Sequence, residues 1–174
     1  MNRHYAISFN TCANLCFFTI GRCPKKAGQD LKKFNKESVP YIQVEELSGN
    51  DIVLLLDARE KEEFEVSHLE DALWVGHKTF EIDTLLKKVP KKNKQIVVYC
   101  SIGVRSENIG EKLQKAGYTN VKNLYGGIFE WKNRGYPVYN ADGIETENVH
   151  AFSKHWGKLL TIGQKVYGPA EMVE

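Results

Sequence analysis

Two uninterrupted aliphatic runs constrain the fold of this chain more than any other feature. They read DIVLLLD, residues 51–57, and QIVVYC, residues 95–100. A run of strand length without polar alternation is typical of a strand buried on both faces, as in a parallel sheet covered by helices on each side. A polar segment with helical spacing follows each run, so the sequence predicts alternating strands and helices.

The segments around these two runs extend the alternation. Further strands are predicted in PYIQV, ALWVG and VKNL, and helices in VEELSGN, EKEEFEVSHL, FEIDTLLKKVP, SENIGEKLQKAG and GIFEWKNRG. Together they predict an α/β fold, with an open five-stranded parallel sheet flanked by helices on both faces. A length of 174 residues suits one compact domain with extensions.

The amino terminus resembles an export signal only in part. Within residues 1–23, Arg3 and His4 precede an uncharged stretch, but Asn10 and Asn14 interrupt it. We treat this segment as a possible export signal or leader. If it is a signal, the protein is exported or lies on the periplasmic side; otherwise it is cytoplasmic. Membrane association is expected only through this segment.

Three further segments follow the leader. Residues 24–38 read as a polar, lysine-rich linker, residues 39–140 as the folded domain, and residues 141–174 as a C-terminal extension. An amphipathic helix is predicted in the extension, because apolar residues recur there at helical spacing. The predicted stripe comprises Val149, Phe152, Trp156, Leu159 and Leu160.

Charge and cysteine spacing exclude several classes of protein. The net charge is +2, with the basic excess in the first 37 residues, so a general affinity for nucleic acid is not indicated. Cys12, Cys16 and Cys23 crowd the amino terminus without a Cys-x-x-Cys pair, which argues against a disulfide scaffold or a common zinc site. Cys100 stands alone in the body of the chain.

Cys100 ends a predicted buried strand, and ligands bind beyond the carboxyl ends of such strands. The loop can turn its N–H groups inward, since Gly103 permits close approach or a positive φ, and Ser106 is predicted to cap the following helix. The helix N-terminus and the cation of Arg105 both lower a thiol pKa, so the loop is predicted to hold a thiolate. The alternative is that Cys100 is simply a small buried apolar residue.

A loop that holds a thiolate suits either phosphoryl transfer or sulfur transfer. Four residues separate Cys100 from Arg105. Cysteine phosphatases use a loop one residue longer, and the smaller ring here fits a single sulfur atom better than a tetrahedral phosphate. The spacing therefore favours sulfur transfer.

Four segments, in order, resemble the rhodanese family of sulfurtransferases: LLLDARE, EFEVSHLEDALWV, IVVYCSIGVRS and LYGGIFEWKNRGYPV. The resemblance implies that Cys100 takes sulfur from a small sulfur-containing anion such as thiosulfate, forms a persulfide, and passes the sulfur to a thiol, a thiol protein or cyanide. It implies no metal and no organic cofactor, and the net charge leads us to expect no nucleic-acid partner. The implied substrate-binding loop comprises Ser101, Ile102, Gly103, Val104, Arg105 and Ser106.

The chain departs from the family pattern beside its cysteine. Ser101 replaces the Arg or Lys that often follows the cysteine, so Arg105 is expected to carry more of the donor recognition. Supporting roles are predicted for five residues outside the loop. Asp57 and Arg59 are expected to brace the end of a strand, His68 to be structural, and Gly126 and Gly127 to allow a tight turn. The alternative function is a non-catalytic rhodanese-like binding or sulfur-carrier module.

Overall fold

The computed structural model describes residues 33–50 and 52–168. The predicted leader, most of the predicted linker and three of the four cysteines lie outside the described residues. Whether the leader directs export therefore stays a prediction.

The centre of the structure is a parallel sheet. Its strands lie in the order β1-β5-β4-β2-β3, and every neighbouring pair is parallel. The five strands are β1 (Tyr41–Ile42), β2 (Leu54–Asp57), β3 (Leu73–Trp74), β4 (Ile96–Tyr99) and β5 (Val121–Leu124). The two aliphatic runs form β2 and β4, which pair with each other over four residues each. The predicted sheet is confirmed.

Helices cover both faces of this sheet. They are α1 (Val44–Ser48), α2 (Lys61–Val66), α3 (Ile82–Lys88), α4 (Val104–Lys115) and α5 (Gly127–Asn133). Within the part of the chain that the structure describes, no helix is long and apolar enough to cross a membrane.

The side chains of β4 alternate between two apolar cores. Val97 and Tyr99 pack on the side of α1 and α5, whereas Ile96 and Val98 pack on the side of α3 and α4. All four are fully buried. Because successive side chains of a strand point to opposite faces, a strand covered on both faces must be apolar at every position. This explains the uninterrupted runs and places the end of β4 inside the molecule.

The C-terminal extension contains short strands, not the predicted amphipathic helix. After β6 (Val138–Tyr139) and β7 (Glu145–Thr146), β8 (Asn148–His150) pairs in parallel with β9 (Gln164–Val166), and a 3₁₀ helix (Trp156–Leu159) lies between β8 and β9. The helix prediction was wrong because Val149 enters the main core as a strand residue and Phe152 has a positive φ, which ends any helix.

Candidate active site

Cys100 follows the last residue of β4 at the centre of the sheet. The strands on either side, β2 and β5, end at the same edge. The cysteine is only 1% exposed, and its carbonyl oxygen accepts the N–H of Ile128 from α5 at 2.9 Å. Cys100 is therefore held by both the strand before it and a helix from later in the chain.

The loop after Cys100 turns back towards its sulfur. Gly103 has φ +106°, and its N–H donates to Cys100 Sγ at 3.1 Å. Of the two options that glycine permits at this position, the structure shows the positive φ. An N–H directed at sulfur stabilises the thiolate more than the thiol, because it interacts with a full negative charge.

Ser106 does not cap the helix, contrary to the sequence prediction. Gly103 occupies the N-cap of α4, and Ser106 lies in its first turn. Its hydroxyl oxygen lies 3.6 Å from Cys100 Sγ and 2.7 Å from Asn123 Oδ1, to which it donates. The amide of Asn123 in turn donates to the Gly103 carbonyl oxygen at 2.8 Å. Ser106 thus links the cysteine to β5 and helps fix the loop.

The electrostatic surroundings of Cys100 favour its ionised form. Burial alone raises the pKa of the thiol, but the charge of Arg105, the Ser106 hydroxyl and the N–H groups of Ser106 and Ile102 outweigh burial and lower the pKa below its ordinary range. A lowered pKa increases the fraction of nucleophilic thiolate near neutral pH. The site can therefore supply a nucleophile from within the protein.

Arg105 is bound by a carboxylate that the sequence reading missed. Its guanidinium donates to both oxygens of Glu63, at 2.6 and 2.8 Å, and to the Ser101 hydroxyl at 2.9 Å. Ser101 donates to the same carboxylate at 3.0 Å. Part of the positive charge of Arg105 is therefore compensated by Glu63, which leaves less of it for an incoming anion.

Glu63 is held in place by the start of α2. It is 2% exposed and forms a capping box with Glu60, whose N–H donates to Glu63 at 3.0 Å. Burial raises the pKa of Glu63, but the hydrogen bonds and charge of Arg105 outweigh it, and the pKa lies below its usual range. A glutamate three positions after the N-cap is typical of a capping box, although the N-cap is here a glutamate and not the usual serine or threonine. Nothing local in the sequence signals that the second glutamate binds Arg105.

The predicted pair at the end of β2 is formed and fully buried. Arg59 donates through Nε and Nη2 to the carboxylate of Asp57, with a closest distance of 2.6 Å, and through Nη2 to the Ser67 carbonyl oxygen at 2.6 Å. Both side chains are inaccessible to solvent. The charge-assisted hydrogen bonds to Asp57 fix Arg59 at the end of β2, and its bond to Ser67 joins that strand to the chain after α2.

His68 is placed away from the cysteine loop. Its ring stacks on Phe64 with centroids 4.0 Å apart, and its Nδ1 lies 3.0 Å from the Phe64 carbonyl oxygen. Its backbone forms an isolated bridge with Tyr139. It does not line the cavity over Cys100. These contacts are the ones a structural histidine makes.

Gly126 and Gly127 form a turn directly beneath the cysteine loop. Both have positive φ, +71° and +58°. A Cβ on Gly127 would overlap the Cys100 carbonyl oxygen and the backbone of Ser101. Only glycine allows α5 to begin this close to the loop.

The end of the predicted linker is part of the site. Asn35 donates to the Gly103 carbonyl oxygen at 3.0 Å, and the buried carboxylate of Glu107 accepts the N–H groups of Lys36 and Ser38, each at 2.9 Å. We call residues 35–38 the clamp segment. The sequence predicts a polar linker here, but the polar groups of this segment bind the cysteine loop and the first turn of α4.

A cavity of about 140 Å³ opens over Cys100. Its walls are mainly apolar and come from three parts of the chain: the cysteine loop, the residue before the clamp segment, and the C-terminal extension. Besides the loop residues, the lining side chains are Phe34, Phe152 and Trp156. The cavity gives the sulfur access to a ligand, although the cysteine itself is almost fully buried.

These features define a class of protein: an α/β domain with an open parallel sheet whose central strand delivers a buried thiol to a short loop at a helix N-terminus. The family model described as Rhodanese-like domain matches residues 42–134. The chain belongs to the rhodanese-like domain family.

Curated relatives of this chain include proteins whose name the sequence does not predict. Proteins called tRNA uridine(34) hydroxylase from Photorhabdus laumondii and from Escherichia coli O6:K15:H31 are both 32% identical to this chain. The matches cover 66% and 64% of this chain, and 32% and 35% of those proteins. The chain thus spans about a third of the length of the curated relatives it matches.

Solved structures share the fold. A rhodanese-related protein from Thermoplasma volcanium, 28% identical, matches with a TM-score of 0.50 over 57% of this chain and 96% of that chain. Thiosulfate sulfurtransferase from Pseudomonas aeruginosa, 22% identical, matches with a TM-score of 0.55 over 79% of this chain and 26% of that chain. At this identity the second likeness concerns the fold alone.

Proposed function

We propose that this protein is a sulfurtransferase that carries a sulfane sulfur on Cys100. The observation that supports this most directly is the environment of the sulfur: Cys100 Sγ accepts the Gly103 N–H at 3.1 Å, lies at the N-terminus of α4, and opens onto a cavity. A thiol whose pKa is lowered in such a pocket is suited to nucleophilic catalysis.

The proposed reaction has two displacements at sulfur. In the first, the Cys100 thiolate attacks the outer sulfur of the donor, and the bond to the leaving group breaks with its electron pair going to that group. Thiosulfate would release sulfite and leave a Cys100 persulfide. In the second, an acceptor thiolate or cyanide attacks the outer persulfide sulfur and regenerates the Cys100 thiolate. Loop N–H groups would stabilise the negative charge on the persulfide.

We infer that the acceptor comes from outside the domain. Cys100 is the only cysteine in residues 33–50 and 52–168, so within these residues no second thiol can resolve the persulfide as a disulfide. A small thiol, a thiol protein or cyanide would fill this role.

Intact-mass spectrometry tests the proposal. The protein is treated with thiosulfate, polysulfide or a thiosulfonate, and then with cyanide. We expect a gain of one sulfur atom that cyanide removes. Cys100→Ser is the matched control, because it retains the cysteines at positions 12, 16 and 23. If no donor loads Cys100, sulfur transfer is wrong, and the alternative of a non-catalytic binding module is favoured.

A second candidate function is action on tRNA. It is favoured by the relatives named tRNA uridine(34) hydroxylase, and it runs against the expectation that nucleic acid is no partner. Gel retardation with total tRNA tests it, using a matched mixture of double-stranded DNA as competitor. Retardation of tRNA that the DNA does not abolish would support this candidate, and no retardation at low salt would contradict it for this chain.

A further inference from the structure

A second cavity lies at the opposite edge of the sheet from Cys100. Val53 and Leu55, at the start of β2, line it, whereas Cys100 follows the end of β4, which runs parallel to β2. Its volume is about 570 Å³, compared with about 140 Å³ over Cys100. Small-molecule sites typically measure about 300–1,000 Å³. This cavity, which we call the distal cavity, can therefore hold an organic molecule, and the proposed sulfur transfer does not use it.

Two aromatic side chains form one wall of the distal cavity. The rings of Trp131 and Tyr136 lie with their centroids 4.8 Å apart and their planes tilted by 35°. The indole N–H of Trp131 donates to the Pro137 carbonyl oxygen at 2.8 Å, and the Tyr136 hydroxyl accepts the Ser48 hydroxyl at 3.1 Å. Both rings are thus fixed before a ligand binds. An aromatic ring carries negative charge on its face and attracts cations.

The charges on the wall of the distal cavity are negative. Glu70 and Asp71 line it, and both are exposed to solvent. Among the residues that the structure describes, no lysine, arginine or histidine lines this cavity, and neither carboxylate forms a hydrogen bond or an ion pair. The carboxylates and the aromatic pair therefore favour the same sign of ligand charge, and both repel an anion.

Much of the remaining lining is apolar, which favours an organic cation over a metal ion. Leu47 and Leu69 line the cavity and are themselves buried. Calcium and magnesium ions take about six oxygen ligands, and within the described part of the chain no group of three or more His, Cys, Asp or Glu side chains could hold a metal. An ammonium ion whose nitrogen carries alkyl groups matches both the charge and the apolar surface.

We propose that the distal cavity is a binding site for a small organic cation of the quaternary ammonium class. The positive charge of the ligand lies against Trp131 and Tyr136, its alkyl groups cover the leucine side chains, and the exposed carboxylates of Glu70 and Asp71 compensate its charge. A quaternary ammonium has no N–H group to satisfy, so apolar and aromatic walls leave none of its donors unpaired. This inference does not rest on sulfur transfer.

Two probes that differ in charge at a single atom test the site. Choline and 3,3-dimethylbutan-1-ol have the same shape, but a neutral carbon replaces the charged nitrogen in the alcohol. Each is titrated into the full chain at low ionic strength, and the indole N–H signal of Trp131, assigned with Trp131→Phe, reports binding in the distal cavity. We expect the Kd of choline to be about tenfold lower than that of the alcohol.

Variants of the wall identify what recognises the charge. In Glu70→Gln/Asp71→Asn the preference for choline should fall to about threefold or less. Asparagine suits position 71, where φ is +55°. Tyr136→Leu keeps apolar volume but removes a π-face, so it should lower the preference by about twofold or more.

A matched double variant controls for the overall loss of negative charge. Glu62→Gln/Asp83→Asn removes two exposed carboxylates that do not line the cavity, and it should keep the wild-type preference. Equal affinity for the two probes overturns the inference, as does a Trp131 signal that choline does not shift. A preference that survives in both wall variants also overturns it. Persulfide loading of Cys100 is measured separately, so failure of either proposal leaves the other standing.

Discussion

At the scale of single residues, Glu63 and Arg105 set the charge around the sulfur. Arg105 lowers the pKa of Cys100, whereas the carboxylate of Glu63 offsets part of the same positive charge. Glu63 is 2% exposed, so water screens this pair poorly. Glu63 therefore affects the thiolate population of Cys100 through its effect on the charge of Arg105.

Opposite shifts are therefore expected from the two partners. Arg105→Ala should raise the pKa of Cys100, because it removes the positive charge that stabilises the thiolate. Glu63→Gln should lower it, because the charge of Arg105 is no longer offset. The rate of alkylation by iodoacetamide as a function of pH measures both shifts, with Cys100→Ser reporting the background from the other cysteines. The rate rises with pH through the pKa, so its midpoint should move up in the first variant and down in the second. Shifts in the same direction would contradict this account.

At the scale of elements, the site is built where helix starts meet strand ends. The start of α4 contacts the sulfur through the Gly103 N–H and the Ser106 hydroxyl. The start of α5 packs against the cysteine loop, and two of its N–H groups donate to carbonyl oxygens of Cys100 and Ser101. Gly127 is the point of closest approach. The shape of the loop therefore depends on how closely α5 can pack against it.

Gly127→Ala should disturb the loop by steric overlap. Gly143 is the matched control, because its φ of +73° is similar to the +58° of Gly127 but no atom lies within 4 Å of an added Cβ. The strain of a positive φ is then common to both variants. We expect Gly127→Ala to lower the free energy of unfolding by about 1–3 kcal/mol more than Gly143→Ala. Urea denaturation measures the difference, and equal losses would show that the close packing does not matter.

The clamp segment depends on the first turns of α4. Glu107→Gln should weaken the attachment of the clamp segment, because the Glu107 carboxylate is buried and accepts two of its backbone N–H groups. The free energy of unfolding should fall by about 1–3 kcal/mol. The amide hydrogens of Lys36 and Ser38 should then exchange faster. Glu111→Gln is the matched control, since its carboxylate accepts the Ser38 hydroxyl in place of a backbone N–H of the clamp segment. Unchanged exchange in Glu107→Gln would mean that the clamp segment is held by other contacts.

At the scale of the whole molecule, the C-terminal extension is part of the main core. Val149, Ala151 and Leu160 are fully buried and belong to the same apolar cluster as residues of β4 and α5. The extension also supplies Phe152 and Trp156 to the cavity wall. Stability and the shape of the candidate site are therefore coupled through one packed unit.

A pair of substitutions in the extension tests this coupling. Leu160→Ala should lower the free energy of unfolding by about 2–5 kcal/mol, because it leaves a cavity in the core. Ile162→Ala, two residues later and 46% exposed, should change it by about 0.5 kcal/mol or less. Urea denaturation gives both values. If Leu160→Ala unfolds with wild-type stability, the extension does not contribute to the cooperative core.

The sequence by itself determined the sheet and the position of the cysteine. Buried parallel strands must be apolar on both faces, so β2 and β4 could be read from two runs of residues. Gly103 could be recognised as a residue that permits a positive φ, because this freedom is a local property of glycine. The Asp57–Arg59 pair could be anticipated because its members are two positions apart.

Only the tertiary structure decided what surrounds the thiol. Glu63 and Arg105 are 42 positions apart, and Lys36 and Glu107 are 71 apart, so no local pattern joins them. The apolar spacing in the extension matched a helix, yet burial of Val149 and Leu160 in a core made elsewhere, with Phe152 at a positive φ, produced short strands instead. Local propensity is worth fractions of a kilocalorie per residue, and burying an apolar side chain is worth more, so tertiary packing decides wherever the two disagree.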